Sequence, residues 1–312
     1  MNILVVGGAG YIGGYLCDVL KRDNHSVSVY DNLIYESRFL KDLHFIHGDI
    51  RDRKKLLNII NDFDVVIWLA AIVGDGACAV DPTLTKTINE DSTKWLVDNY
   101  KGKIVFASTC SVYGIHDKLI DEDAESNPQS IYASTKLAAE QYIISNHENY
   151  LIFRLGTLFG LGDSFSRIRL DLVVNILTTR AVKGEVLTVF GGEQWRPLLH
   201  VKDVGEAISF CIEKKVRGLY NLSYKNFMIH EIGEEISKII PNTKIEYAHI
   251  KFEDQRNYKV KTDRVLATGW EPRYDISDGI KEISQLIKEN RIVDITDPVY
   301  QNAVFMEENY GT

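Results

Sequence analysis

The chain has no surplus of basic charge: 36 lysines and arginines stand against 44 acidic residues, a net of −8. A nucleic-acid binder normally carries a basic footprint, so no nucleic-acid partner is expected. Local backbone N–H groups can still hold an anion inside an acidic protein. No apolar run approaches the roughly 18 residues of a membrane helix, and the start, Met1 to Gly7, lacks the basic region and cleavage site of a signal peptide. Neither a membrane nor secretion is expected. Cysteine is scarce. Cys17, Cys78, Cys110 and Cys211 are scattered and form no C-x-x-C pair, which argues against a disulfide framework or a zinc site. No metal is expected, and a reducing cytoplasm fits best. Linkers rich in Gly, Pro or Ser and internal repeats are also missing. What is present is a hydrophobic content of 45% and a charged content of 26% over 312 residues, the profile of one large or two tightly joined globular domains.

Short apolar runs alternate with helix-like stretches. Residues 3–6, 26–30, 45–47, 65–69, 103–107 and 150–153 read as buried strands, and 13–22, 53–61, 83–100 and 132–146 as the helices between them. This alternation predicts an α/β fold with a Rossmann-type, doubly wound parallel sheet over residues 1–165. Beyond about residue 160 the pattern changes. Helices are expected over 166–183, 203–213, 230–240 and 278–290, with strands at 187–190 and 218–222. Residues 166–312 are therefore read as a smaller α/β substrate lobe, with one return to the main sheet near 197–222. The polar tail after Arg291 has no assignment.

The first strand runs into Gly7-Gly8-Ala9-Gly10-Tyr11-Ile12-Gly13, a G-x-x-G-x-x-G spacing at a strand-to-helix turn. Glycines there let the backbone approach a pyrophosphate, and the following helix offers free N–H groups. Gly7, Gly10, Tyr11, Ile12 and Gly13 are thus candidate cofactor contacts. Asp31 and Asn32 end the second strand, close to the roughly 20 residues downstream at which an acid meets the adenosine ribose. A carboxylate there repels a 2′-phosphate, so NAD is expected over NADP. Asp49 and Ile50 follow the third strand and can flank the adenine; a plain loop is the alternative.

These elements, taken with later ones, resemble the extended short-chain dehydrogenase/reductases, the NAD-dependent epimerase/dehydratase family. Leu69-Ala70-Ala71 resembles the segment lining the nicotinamide side, and Asn89 the structural asparagine of the next helix. Residues 108–114, Ser-Thr-Cys-Ser-Val-Tyr-Gly, resemble the catalytic Ser/Thr segment, and Tyr132 with Lys136 forms the Y-x-x-x-K pair. Arg154 and Gly160 fit the R-x-x-N-V-[YF]-G run, with Thr157 where Asn is usual. Residues 196–204 resemble the R-D-F-I-H-V-x-D-V segment, and Gly269-Trp270-Glu271-Pro272 the late G-W-x-P. A narrower resemblance, through residues 71–75, Arg169 to Leu172, and Asp254-Gln255-Arg256-Asn257-Tyr258, points to nucleotide-sugar C4 dehydrogenases and epimerases of surface polysaccharide synthesis, such as the GDP-heptose C4 dehydrogenases of capsule synthesis.

Tyr132 and Lys136 lie one helical turn apart and share a face. A tyrosine with a pKa of about 10 is a poor base at neutral pH, and a neighbouring ammonium with a positive nicotinamide ring favours its phenolate. Tyr132 can then take a sugar hydroxyl proton. The resemblance gives Thr109 the reacting oxygen and Lys136 the nicotinamide ribose; Ser108 and Ser111 are competing hydroxyls. The Asp-Glu pair of the 4,6-dehydratases is replaced by Cys110 and Ser111, which argues against water elimination. Cys110 is either a substrate-side acid or a buried structural thiol. Arg154, Arg169, Arg196 and Arg256 are candidates for a second diphosphate, that of the substrate, with a structural role as the alternative for Arg154; Thr157 stands where the resemblance places a sugar or phosphate contact, and His200 supports the fold. Trp195 and Tyr258 wall the pocket or pack the core. The expected activity is NAD-dependent oxidation or reduction at C4 of a nucleotide-sugar. The partner is a GDP-sugar at first choice, with UDP and dTDP next, and the assembly a homodimer or larger. A 4-keto-sugar reductase and a non-catalytic NAD-binding regulator are the alternatives.

Overall fold

Ile3, Leu4, Val5 and Val6 are all completely buried. A strand that is apolar on both faces must be covered on both faces, and parallel sheets flanked by helices do this. In the structure, a computed structural model describing residues 1–190, 192–248 and 256–311, the strand Asn2–Val6 sits inside a seven-stranded sheet. Across the sheet the order is Gly218–Leu222, Tyr150–Leu155, Lys103–Thr109, Val65–Trp68, Asn2–Val6, Ser26–Asp31 and His44–His47. Every neighbouring pair is parallel. The order reverses between Asn2–Val6 and Val65–Trp68, and a crevice opens at that switch point beyond the strands' carboxyl ends. One apolar layer, holding Ile3, Val5, Leu16 and Val105, lies on one face of the sheet, and another, holding Leu4, Val6, Trp68 and Phe106, on the other.

The helix Gly13–Arg22 has the bounds the sequence predicts. The stretch 83–100 is helical in three joined pieces, Pro82–Lys86, a π-helical turn Thr87–Asp91, and Ser92–Asn99. The widened turn holds the buried Asn89, whose side chain accepts from Ile72 N at 2.9 Å and donates to Ile72 O at 2.8 Å, pinning the segment after the fourth strand.

In the second half, Trp195–His200 is flanked by Thr157–Phe159 and Lys225–Met228 in a small sheet. Leu187–Phe190 pairs with Ile245–Ala248, and Val173–Val182, Ile229–Ile239 and Ile276–Lys288 pack a separate apolar cluster with them. Two connections run back: Gly218–Leu222 extends the main sheet, and Asn257–Val260 pairs with Ile115–Ile120.

The expected helix over 166–183 is corrected. Only Val173–Val182 is helical. The preceding residues are held open by side-chain and tail contacts: Arg169 forks onto Asp171, Asn175 Nδ2 donates to Arg169 O, and Leu170 N donates to Tyr300 O. The unassigned tail is ordered as well. A 3₁₀ turn Pro298–Tyr300 leads into the helix Asn302–Tyr310, which packs on the helix Asp75–Val80. Among the described residues, no helix is long and apolar enough to cross a membrane. Asp254 and Gln255, both part of a sequence expectation above, lie outside the described residues.

Candidate active site

At the switch point the structure opens a cavity of about 740 Å³, large for a small-molecule pocket. The glycine loop forms one wall. Gly7 has φ +85°, and a Cβ on it would lie 2.5 Å from Ala70 N. Loop and fourth-strand segment therefore touch backbone to backbone, which no side chain would allow. Gly10, Tyr11, Ile12 and Gly13 continue this wall, and Leu69, Ala70 and Ala71 face it. The Tyr11 hydroxyl donates to Gly160 O at 2.7 Å, tying the loop to the second half of the chain.

Asp31 is set into the same wall. Its carboxylate accepts from Ala9 N at 3.0 Å and Leu33 N at 2.8 Å. Burial raises its pKa, and these N–H donors pull it back. Leu33 adopts φ +55°, uncommon for a branched residue and of the kind that collects at binding sites. Asn32 Nδ2 donates to Asp49 Oδ2 at 3.2 Å, and the Arg51 guanidinium holds the Asp49 carboxyl below its ordinary range. Asp31, Asn32, Asp49 and Ile50 all line this end.

Deeper in, the strand Lys103–Thr109 and the helix Ile131–Asn146 deliver Thr109, Tyr132 and Lys136 to one part of the cavity. The helix starts there because Ser130 caps it, accepting from Ala133 N at 3.2 Å. Beneath it the Ser108 hydroxyl donates to Glu140 at 2.7 Å, and Arg154 forks onto the same carboxylate. Ser108 and Arg154 are thus committed to a buried brace. Lys136 is 2% exposed, with Nζ 4.1 Å from the centre of the Phe106 ring. Burial pushes its pKa down to about 7. Burial also raises the Tyr132 phenol; Cys78 and Asp75 add to the rise, while the Thr109 hydroxyl and the Arg169 charge oppose it. The expectation of an ammonium acting on the phenol changes accordingly. Within the protein itself desolvation dominates both groups, and the cation that lowers the phenol is Arg169.

The second half supplies the remaining wall. Thr157, Arg169, Arg196 and Arg256 all line the cavity. Arg196 Nη1 donates to Trp195 O at 2.9 Å and to Arg256 O. Arg256 Nη1 donates to Ser111 Oγ at 2.9 Å and pairs with Asp75 at 3.1 Å, and Tyr258 lies alongside. Arg169 spends its fork on Asp171, at 2.9 and 3.0 Å. Cys110, expected in the substrate set, is corrected: it is fully buried behind the wall, off the cavity, and its thiol donates to Arg154 O at 3.2 Å. Burial pushes that thiol's pKa up, so it serves as a packed, neutral group. Its neighbour Ser111 faces the cavity instead. His200 is buried and caps the helix Val201–Glu213, with Nε2 3.0 Å from Glu282. Among the described residues, no cluster of His, Cys, Asp or Glu is arranged to hold a metal.

Tyr35, Arg167, Arg180 and Asn302 are among the cavity residues that no sequence motif marks. Arg180 lies in the last turn of Val173–Val182. Only the alternation of Arg167, Arg169 and Asp171, at the period of an extended chain, hinted that this stretch faces a ligand.

A family model, the NAD dependent epimerase/dehydratase family, matches residues 3–223. The chain belongs to this family. Among family relatives, it is 29% identical over 310 residues to a putative UDP-glucose 4-epimerase of Methanocaldococcus jannaschii, covering 92% of this chain and 99% of that one. It is 28% identical to the low-salt glycan biosynthesis protein Agl12 of Haloferax volcanii, covering 90% and 96%. It is also similar to a solved family structure, UDP-glucuronic acid 4-epimerase from Bacillus cereus in complex with UDP-glucuronic acid and NAD. There the TM-score is 0.79 and the identity 27%, with 93% and 99% covered. The extended short-chain dehydrogenase/reductase resemblance and the Rossmann-type sheet read from the sequence agree with this membership. Names among the relatives carry UDP- and dTDP-sugars, and they give no support to GDP.

Proposed function

We propose that the protein oxidises or reduces C4 of a nucleotide-sugar with NAD as its hydride carrier, as a 4-epimerase or 4-dehydrogenase. One observation carries the reading: Thr109, Tyr132 and Lys136 reach the same cavity as the glycine loop on one side and Arg196 and Arg256 on the other. The glycine loop, with Gly7 and Gly13 packed backbone to backbone, fits a dinucleotide's diphosphate, and Asp31, held between two N–H donors, fits a ribose without a 2′-phosphate. NAD, when bound, supplies the hydride acceptor and a positive ring that favours the phenolate. In the oxidative direction Tyr132 Oη takes the proton of the C4 hydroxyl as hydride leaves C4, giving a 4-keto sugar. The Thr109 hydroxyl holds the same oxygen. In reduction the phenol gives the proton back.

The second diphosphate falls to Arg196 and Arg256, with Arg180 at the far end. Arg169, committed to Asp171, acts on Tyr132 by its charge rather than by gripping phosphate. UDP becomes the first choice of nucleotide, supported by the relatives' names. The glycan-biosynthesis relative supports a product destined for surface glycans. The replacement of two dehydratase carboxylates by Cys110 and Ser111 favours epimerisation or dehydrogenation over water loss. We further propose a homodimer, paired through the helices at 82–99 and 131–146, which light scattering at micromolar concentration tests. The deciding experiment mixes purified protein with a panel of UDP-, dTDP- and GDP-sugars while following bound NADH absorbance and product. C4-inverted sugar marks an epimerase, and accumulating NADH with 4-keto sugar marks a dehydrogenase. Turnover of a 4-keto sugar alone, with NADH consumed, marks a reductase. The absence of both a change in NADH and any altered product, with every sugar, would overturn the reading in favour of a non-catalytic NAD binder.

A further inference from the structure

A dinucleotide's diphosphate is doubly charged, and the glycine loop answers it with N–H groups and a helix end but no full positive charge. Of the cavity residues before 166, only Lys136 is basic, and it sits at the catalytic end. Six basic side chains line the cavity in all. Arg169 is forked onto Asp171, Arg256 is paired with Asp75, Arg196 reaches carbonyl oxygens of Trp195 and Arg256, and Arg180 is in the last turn of Val173–Val182.

Arg167 differs from these. It is 5% exposed, and its guanidinium lies 3.3 Å from the centre of the Tyr35 ring. Nε and Nη2 donate to Val299 O at 3.4 and 3.2 Å, and Nη2 donates to Asn302 Oδ1 at 2.5 Å. Among the described residues, no carboxylate forms an ion pair with it, and Nη1 makes no hydrogen bond. Asp171 and Glu36 act on it through their charge, but its hydrogen bonds all go to neutral groups, and a buried cation so held is better satisfied when an anion joins it. Burial lowers its pKa to about 10, so it remains charged at neutral pH.

Its place in the fold names the anion. Tyr35 follows the strand Ser26–Asp31. Asn302 Nδ2 donates to Val73 O at 2.7 Å, on the segment after the strand Val65–Trp68. Those two strands flank Asn2–Val6, which leads into the glycine loop. Arg167 thus spans the two loops that bracket the glycine loop, over the crevice between them. We infer that Arg167 is the cation that neutralises the dinucleotide's diphosphate, seated for that task by Tyr35 and by Val299 and Asn302 of the C-terminal segment. The inference rests on the proposed NAD site, and it gives the tail a function: the tail holds the arginine that closes over the cofactor.

Calorimetric titration of NAD, ADP and adenosine into the wild type, Arg167→Ala, Arg167→Lys and Asn302→Ala tests it. Arg167→Ala should weaken NAD and ADP by about tenfold or more and leave adenosine unchanged, since only the first two carry a diphosphate. Arg167→Lys should recover part of the loss. Asn302→Ala, which removes only the seat, should show the same selective loss at smaller size, and it decides the matter should Arg167→Ala not fold. Unchanged NAD and ADP affinity in folded Arg167→Ala, or in Asn302→Ala when that variant is the one that decides, would overturn the inference and leave the NAD site standing. An equal loss for adenosine would overturn it too, marking Arg167 as a prop for the Tyr35 loop. A wild type that binds no NAD would remove the cofactor reading and this inference together.

Discussion

At the cofactor end of the cavity the groups facing the ligand come from short segments that each follow a strand of the main sheet, and much of what they present is backbone. At the sugar end the groups are side chains from segments far apart in sequence: Ser111, Thr157, Arg180, Arg196 and Arg256. The first kind of wall is made by sheet topology, because a parallel sheet brings the carboxyl ends of its strands together wherever it forms. The second exists only once the small sheets and the tail have packed. The cofactor end should therefore tolerate side-chain changes that leave its backbone alone, while the sugar end should lose affinity one side chain at a time. On the proposed mechanism, catalysis at the junction depends on both.

The sharpest break falls at that junction. Tyr132→Phe should lower turnover by about 100-fold or more while NAD still binds, because it removes the proton carrier and nothing from the glycine loop. Near-normal turnover by stopped-flow would remove Tyr132 from the mechanism. Next comes the sugar end. Arg196→Ala should weaken the nucleotide-sugar by about tenfold or more, since a charge-assisted contact to phosphate contributes about 1.5–3 kcal/mol, and NAD affinity should hold. Equal losses for both ligands in titration would erase the distinction between the two ends.

Asp31 probes the cofactor end at smaller scale. Asp31→Ala should narrow the preference for NAD over NADP, and it should also loosen NAD itself, because the carboxylate ties Ala9 N to Leu33 N. Equal dissociation constants for NAD and NADP in the wild type would contradict the role given to this acid.

The smallest effect is on stability. Lys136 is buried with a pKa of about 7, below its ordinary value. Between that pH and the ordinary lysine range the unfolded chain binds the proton and the folded chain does not, so this residue's cost to folding eases as pH rises and is largest below neutrality. Lys136→Met should then raise the melting temperature by a few degrees at pH 6, with the gain shrinking toward pH 10, even as activity is lost. A gain that grows with pH would reverse the assignment.

The main sheet and catalytic strand were legible because their signals are local. An all-apolar run such as Ile3 to Val6 has only a doubly covered strand as its home, and the Gly7 to Gly13 spacing needs nothing beyond its own turn. Tyr132 and Lys136 share a face by helical period alone, and Asn89 stood out by its place in the family pattern. The stretch at 166–172 was misread as helix because its residues have no breaker among them; a fork to Asp171 and a backbone bond to Tyr300 keep it open. For Cys110 the motif position leaves a substrate-side acid and a buried thiol both open, and the 3₁₀ turn Cys110–Tyr113 decides for the second by turning it inward and Ser111 outward.

Sequence by itself determined what short-range physics can specify: a parallel sheet from apolar runs, a close backbone turn from glycine spacing, and a shared face for two residues one helical turn apart. Tertiary structure decided the charges. Whether Arg167, Arg169 and Arg256 meet a ligand or a carboxylate depends on Asp75, Asp171 and Asn302, which lie from two to more than a hundred residues away along the chain and come within reach only after packing. It also decided the protonation of Tyr132 and Lys136. Burial sets that, and burial belongs to the folded molecule, because no residue carries its solvent exposure in its own chemistry.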